Sequence, residues 1–363
     1  MCNPISKIFK NLFTASKQTN MEKEIFEQPE TVSKLIKKYI SKNGTINIDL
    51  PDNIKKVFLV ASGSSYHSAT IAANYLRDNV HCYAQSYYAS EFSLLDSVDV
   101  DNQTLYVFIS QSGETADTNK SLDLVKAKTD KILAITNTKN STLYNNAKYK
   151  LLLHAGEEKS IASTKAMCAQ IFCLFLIAVK IMQQREIPAN KLLDELYAIP
   201  QKIENVLKNK EQVKSFAKRL SSYDNAAVLA SGMFYPLAKE GALKIKETSY
   251  INTTAYPTGE FLHGHIAILN KKCAVISIVN NFNVDFTIRV LDKIRSEYTS
   301  DSLVISAFDL NLKKSDDAIC VNTTNDIEFL FSALIILQML AFENALYLGR
   351  NIDTPSGLTK IVK

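Results

Sequence analysis

Two short hydroxyl-rich stretches stand out, Gly63-Ser64-Ser65 and Ser110-Gln111-Ser112-Gly113-Glu114-Thr115. Each follows an apolar run and precedes a helix-period pattern, so each is expected to turn a strand into a helix. Such a turn presents backbone N–H groups and side-chain hydroxyls at a helix N-terminus. The free donors and the helix dipole both favour an anion there, and a phosphate dianion suits best. Either loop alone is equally well a Ser-Gly turn or a helix cap. Two of them at successive strand ends of one sheet favour phosphate.

A second group of chemically able residues lies further on. Lys244, Lys246 and Glu247 fall within Gly241-Ala-Leu-Lys-Ile-Lys-Glu-Thr-Ser-Tyr250. Lys244 and Glu247 are at i, i+3 and share a helix face. An exposed ion pair has the same spacing, so spacing alone does not make them a site. His263 follows in Gly259-Glu-Phe-Leu-His-Gly264, between glycines where backbone can approach a ligand. Lys360 stands near the C-terminal end, in a stretch carrying Pro355 and Gly357, and by itself implies nothing.

The elements that must position these residues come from an internal repeat. Residues 57–76 read VFLVASGSSYHSATIAANYL and residues 226–245 read AAVLASGMFYPLAKEGALKI. Ala61-Ser62-Gly63 aligns with Ala230-Ser231-Gly232, an offset of 230 − 61 = 169. The same offset carries Ser110-Gln111-Ser112 onto Val279-Asn280-Asn281. Apolar runs predict strands at Leu105–Ile109, Ile132–Thr136 and Leu151–Leu153, then at Ala274–Ile278, Leu303–Ser306 and Ile319–Val321. Continuous apolar strands interleaved with helical patterns mark parallel sheets covered on both faces. The expected fold class is α/β, with two doubly wound, flavodoxin-like, three-layer αβα domains in tandem. Ligand sites belong at the carboxyl ends of the strands. At the matched positions the second half has Met233 and Phe234 for Ser64 and Ser65, so only the first half keeps the hydroxyl cradle. The expected organisation is an extension over 1–20, a helical lead-in over 21–45, a phosphate-binding domain over 46–190, a helical linker over 191–215 punctuated by Pro200, a second domain over 216–348 and an irregular tail over 349–363.

Bulk properties narrow the function classes. Hydrophobic residues are 46% and charged residues 22% of the 363, an ordinary globular balance. The net charge of +5 comes from scattered lysines, so nucleic acid is not the expected partner. Cys2, Cys82, Cys168, Cys173, Cys273 and Cys320 show no metal-ligand spacing and read as small core residues in a reducing compartment. The best candidate for a membrane span, Ile171 to Met182, is about twelve residues long, and a buried helix is expected instead. Residues 1–20 contain Lys7, Lys10 and Lys17, no acid, and an amphipathic stretch around Ile8 to Phe13 that reads as a surface or targeting helix or as a loose extension.

Together these motifs resemble the isomerase half of glutamine–fructose-6-phosphate aminotransferases and the sugar-isomerase (SIS) type glucosamine-6-phosphate deaminases. The resemblance rests on Ala61–Tyr66, Ser110–Thr118, Ile161–Ala166, Glu240–Tyr250, Ala255–Gly264 and Asp353–Lys360, in family order from about residue 21 onward. It implies that Ser64, Ser65, Ser110, Gln111, Ser112 and Thr115 hold a sugar 6-phosphate, and that Ile161 and Ser163 line the sugar. It implies that Glu247 moves a proton between C1 and C2, with Lys244 beside it. His263 would open the ring, entering from the neighbouring subunit of a homodimer with a shared site. Lys360 would close the site and could form an imine with a keto sugar. No cofactor and no metal is called for. One carboxylate that takes a proton from one carbon and returns it to the next suffices for aldose–ketose exchange, with a nearby cation for the developing oxyanion.

The family's glutaminase domain is not seen in this sequence, and only Met1-Cys2 resembles its start. The leading expectation is therefore a cytoplasmic glucosamine-6-phosphate deaminase. The alternatives are an ammonia-using synthase domain, with or without a separate glutaminase subunit, a plain phosphosugar isomerase, and a non-catalytic sugar-phosphate sensor. The pattern departs from the family at His265, where proline is usual, and at Ser356, where arginine is usual.

Overall fold

The computed structural model describes residues 18–95, 101, 103–270, 272–282, 284–298, 301–310 and 318–362. Cys2 and the stretch Ile8 to Phe13 lie outside them. The described chain opens with two helices, α1 (Asn20–Phe26) and α2 (Gln28–Tyr39), and then enters the first sheet unit. That unit runs β1 (Lys56–Ala61), α3 (Gly63–Asn79), β2 (Tyr83–Tyr88), α4 (Ala89–Phe92), β3 (Thr104–Ile109), α5 (Ala116–Lys126), β4 (Ile132–Thr136), α6 (Thr142–Asn146), β5 (Tyr149–Leu152) and α7 (Lys165–Gln184). Its strands pair in parallel in the order β2-β1-β3-β4-β5.

The second unit runs α8 (Asn190–Leu207), α9 (Lys210–Leu220), β6 (Asn225–Ala230), α10 (Tyr235–Ser249), β7 (Asn252–Pro257), β8 (Cys273–Val279), α11 (Val284–Tyr298), β9 (Ser302–Ser306), β10 (Ala318–Cys320) and α12 (Asp326–Tyr347). Its order, β10-β9-β8-β6-β7, is the first order read from the other edge, again all parallel. The doubly wound α/β class is as the sequence predicts. The reason is local: β3, β4, β8 and β9 are buried at every residue, so helices cover both faces of each sheet.

The 169-residue offset holds at the level of elements. β1 starts at Lys56 and β6 at Asn225, and 56 + 169 = 225. The glycines that end these strands, Gly63 and Gly232, have φ of +55° and +58°, which L-residues with a side chain rarely adopt. The first turn then enters α3 directly, whereas the second passes through a 3-10 turn at Gly232–Phe234 before α10.

Three expectations are corrected. β2 and β7 have no apolar run and are missing from the sequence reading: each is an edge strand with exposed and half-buried residues. Pro200 does not punctuate the linker, because α8 runs through it and the break falls at Lys208–Asn209. The apolar run at Ile171–Met182 is a buried helix as expected, but α7 that contains it is 20 residues long rather than about twelve. Both α7 and α12 are long and apolar enough to cross a membrane by length and composition, with 89% and 94% of their apolar windows buried in the fold.

Those two helices join the halves. Phe331 of α12 packs on Phe172 and Phe175 of α7, with ring centroids 6.3 and 6.2 Å apart. The side-chain amide of Gln28 donates to that of Gln338 at 2.7 Å, and Gln338 donates to the Thr164 carbonyl at 3.3 Å, all buried. One continuous apolar cluster therefore underlies both sheets. Cys82, Cys168, Cys173 and Cys273 are buried free thiols and Cys320 is half-buried. Burial pushes the Cys168 and Cys173 thiols far up and that of Cys273 to about 11, so these stay protonated and inert.

Candidate active site

The hydroxyl loop after β3 folds back on itself. Ser110 Oγ accepts from the Gly113 N–H at 3.0 Å and lies 2.9 Å from Thr115 Oγ1. Ser112 Oγ accepts from the Glu114 N–H at 3.1 Å. The Gln111 carbonyl accepts from the Asn137 N–H at 3.0 Å and from Thr136 Oγ1 at 3.2 Å. Gly113 has φ +70°, and a Cβ there would lie 2.1 Å from Ser141 Oγ. The loop is thus pinned against β4 and α6, with its hydroxyls gathered at the start of α5. Thr115 caps that helix with no side-chain cap hydrogen bond, so its hydroxyl is not spent on the helix's own N–H groups.

The other predicted cradle sits at the start of α3. Ser65 Oγ accepts from the Gln170 side chain of α7 at 2.9 Å. Ser64 Oγ accepts from Lys244 Nζ of α10 at 3.1 Å. Lys244 also donates to the Glu247 carboxylate and lies 3.4 Å from Glu240 Oε1. The sequence allowed an exposed ion pair here, and the structure excludes it, since the Lys244 side chain is 1% exposed and that of Glu247 21%. Burial opposes the charge on Lys244, but the Glu240 and Glu247 carboxylates outweigh it and hold the ammonium above the ordinary lysine range. Burial would likewise push the Glu240 carboxyl up, yet the Lys244 charge and the His67 hydrogen bond bring it below the usual range.

The tail is not idle. Lys360 Nζ donates to Glu158 Oε2 at 2.8 Å and to the Ser160 carbonyl at 2.7 Å. Glu158 is buried and also accepts from Ser163 Oγ at 3.2 Å and from the Thr164 and Ala166 N–H groups at 2.9 and 3.0 Å. The Ile161 N–H donates to the Asp353 carbonyl at 3.0 Å, so both sugar-lining candidates are fixed by this tail-facing segment. Asp353 in turn caps α1, accepting from the Asn20 and Met21 N–H groups at 2.9 and 3.0 Å. Farther on, the Val362 carbonyl accepts from the Ala116 N–H at 3.2 Å, which brings the chain's end to the start of α5. A polar cavity of about 310 Å³ lies against residues 155–159 and is lined by none of the predicted site residues.

The structure therefore gathers eight of the twelve predicted residues into three hydrogen-bonded groups: Ser110, Ser112 and Thr115; Ser64, Lys244 and Glu247; and Ser163 with Lys360 through Glu158. It does not bring His263 to any of them. His263 is exposed, between 3-10 turns at Glu260–Leu262 and His265–Ile268. Sequence reasoning missed Glu158, Glu240, His67 and Gln170. Glu240 was findable, since it lies at i−4 from Lys244 and i−7 from Glu247 on one helix face. Glu158 had no signal of its own in Gly156-Glu-Glu-Lys-Ser160.

The chain is thus a tandem α/β protein with a hydroxyl-rich turn on one half and a buried lysine–carboxylate cluster on the other. The SIS-domain family model matches residues 52–180 and 219–346, so the chain belongs to the SIS-domain family, with two copies in tandem. It is 33% identical over 349 residues to a glutamine--fructose-6-phosphate aminotransferase [isomerizing] of Campylobacter jejuni and 34% identical over 349 residues to that of Bacillus licheniformis. Both matches cover 94% of this chain and 58% of the relative, so the chain spans well under two thirds of the curated proteins it resembles. Among solved structures it superposes on the C-terminal domain of glucosamine-fructose-6-phosphate aminotransferase from Francisella tularensis with TM-score 0.87 and 29% identity, covering 94% of this chain and 99% of that one. A glucosamine-6-phosphate deaminase from Thermotoga maritima gives TM-score 0.76 at 20% identity, over 95% of this chain and 99% of that one, a likeness of fold.

Proposed function

We propose that the chain is an enzyme that interconverts glucosamine 6-phosphate and fructose 6-phosphate plus ammonia, working at C1 and C2 of the sugar. The observation that carries this reading is the double attachment of Lys244 Nζ, to Ser64 Oγ of the hydroxyl half and to the Glu247 carboxylate. It links Ser64, at the turn proposed to hold the phosphate, to the Glu247 carboxylate through one ammonium.

In the proposed reaction Ser64, Ser65, Ser110, Gln111, Ser112 and Thr115 take the 6-phosphate, and Ile161 and Ser163 face the sugar. Glu247 removes the C2 proton of the open-chain amino aldose and returns it to C1. The C1 oxygen takes up a proton, the C2 amine gives one up, and C2 becomes the imine of fructose 6-phosphate. Lys244 stabilises the charge that develops on oxygen. Water then adds to C2, and ammonia leaves as the ketone forms. Lys360 seals the site from the tail, with Glu158 as its counter-charge in the closed arrangement. His263, exposed in one protomer, serves ring opening in the site of a second copy, which makes the working unit a homodimer. The compartment proposed is the cytoplasm, in keeping with the unpaired thiols.

Release of ammonia is the first reading of direction. The second is synthesis, with ammonia supplied free or by a glutaminase, and it is favoured by the names of the relatives at 33 and 34% identity. A plain isomerase would spare the nitrogen step, and a sensor would leave the Lys244–Glu247 pair without use. One assay separates these. The purified chain is given glucosamine 6-phosphate, and ammonia is measured by a coupled reaction. The reverse is run on fructose 6-phosphate with ammonium and, separately, with glutamine. Ammonia release is the expected result. Synthesis alone would move the assignment to the second reading, and exchange between glucose and fructose 6-phosphates alone would make it a plain isomerase. Binding without turnover would leave only the sensor.

A further inference from the structure

Two buried titratable groups that the proposed chemistry does not use, His67 and Glu240, border the reacting pair. His67 lies on α3, on the helix turn after Ser64, and its side chain is 9% exposed. Its Nδ1 is 2.7 Å from Oε2 of Glu240, a side chain wholly shielded from solvent on α10. Glu240 is held ionised by the charge of Lys244 against the opposing effect of burial. An ionised carboxylate only accepts hydrogen bonds, so Nδ1 carries the proton and donates. The other oxygen, Oε1, faces Lys244 Nζ at 3.4 Å. Lys244 then reaches Ser64 Oγ and the Glu247 carboxylate. The chain of contacts is His67–Glu240–Lys244–Glu247, and it crosses from the first half of the molecule to the second.

We propose that His67 is a positioning residue for the reacting pair. It fixes the Glu240 carboxylate, whose two oxygens face His67 and Lys244 respectively. A fixed, desolvated carboxylate keeps Lys244 charged and aimed between Ser64 and Glu247. Without the His67 donor, Glu240 Oε2 would be a buried charge lacking its hydrogen bond, which is costly, and the carboxylate would turn or take up a proton. Lys244 would lose its anchor, and Glu247 would lose the cation that orients it. His67 touches neither Lys244 nor Glu247 by hydrogen bond, so its effect is transmitted through Glu240.

The proposal rests on the functional reading above, and the test tells the two apart. kcat and KM are measured in the ammonia assay for the full chain and for His67→Leu, His67→Asn and Glu240→Gln, with melting temperatures alongside. His67→Leu is expected to lower kcat about 10- to 100-fold with KM within about 3-fold, as loss of an interaction needed in the transition state does. His67→Asn places an amide N–H near the Nδ1 position and is expected to recover most of that loss. A group that only glued the halves together would lower the melting temperature and leave kcat alone. Folded His67→Leu with wild-type kcat, a loss confined to KM, or an asparagine as poor as the leucine would each overturn the proposal. If His67→Leu does not fold, Glu240→Gln decides, since it keeps size and hydrogen bonding but removes the charge facing Lys244. Unchanged kcat there overturns the relay. Silence of the wild-type chain on every hexose 6-phosphate would overturn the functional reading itself.

Discussion

The two halves share a plan and differ at the same place, the turn that follows their first strand. In the first half that turn is Gly63-Ser64-Ser65, with both hydroxyls hydrogen-bonded to long polar side chains, Lys244 and Gln170. In the second it is Gly232-Met233-Phe234, and Phe234 is buried against Phe329 with centroids 5.1 Å apart. The helices that follow are specialised in the opposite sense. The offset of 169 maps Glu240 and Lys244 of α10 onto residues 240 − 169 = 71 and 244 − 169 = 75, which are Ile71 and Tyr75 on α3. One copy thus offers hydroxyls at its turn and, at these two helix positions, Ile71 and Tyr75. The other offers an apolar turn and charges along its helix. A site formed where α3 meets α10 needs both, and neither half could supply it twice without burying unpaired charge on both sides.

The comparison can be broken at several points. The largest effect is expected for Glu247→Gln, which should lower turnover about 10²- to 10⁴-fold and leave sugar-phosphate binding in place. Equal turnover would remove Glu247 from the role. Phe234→Ala should destabilise the fold by about 3–5 kcal/mol in urea or thermal unfolding, with the KM of surviving protein little changed, because this turn serves the core. Gly113→Ala forces a Cβ into Ser141 and an L-residue to φ +70°. It should cost about 1–3 kcal/mol and raise KM for the phosphorylated sugar at least about 10-fold. Ser65→Ala, the counterpart of the Phe234 change, should weaken phosphate binding by about 1 kcal/mol and cost less stability than that change, about 1–3 kcal/mol for the buried Gln170 donor it leaves unpaired. A Ser65 variant that unfolds, or a Phe234 variant that loses phosphate affinity alone, would undo the contrast between the turns.

The smallest effect concerns the support of the tail segment. Glu24 on α1 accepts from Ser160 Oγ and from the Ser160 N–H at 3.2 Å. Burial raises its carboxyl above the ordinary glutamate value of 4.5, against these hydrogen bonds. A raised acid holds its proton better folded than unfolded. Its share of stability is therefore full below pH 4.5 and is lost as pH climbs through the folded value. Melting temperature should show this loss in the wild type, and Glu24→Gln should flatten it. Parallel curves for the two proteins would disprove the assignment.

Much of the fold was legible because its determinants are local. A buried parallel strand is a continuous apolar run, and a Gly turn after it announces the helix. The edge strands β2 and β7 lacked that run and were missed. The hydroxyl loop was legible for the same reason, since Ser110, Ser112, Gly113 and Thr115 bond mainly to one another within a few residues. The sequence by itself thus determined the repeat, the parallel sheets and which half carries the hydroxyl-rich turns. What only the tertiary structure decided are the encounters between distant segments. Spacing left Lys244 and Glu247 undecided between surface and site, and packing of α10 against α3 buried the lysine. His67 meets Glu240 across 173 residues, and Lys360 meets Glu158 across 202. Such pairs have no local signature. A carboxylate becomes a partner only when folding removes water from it and leaves one cation or donor within reach.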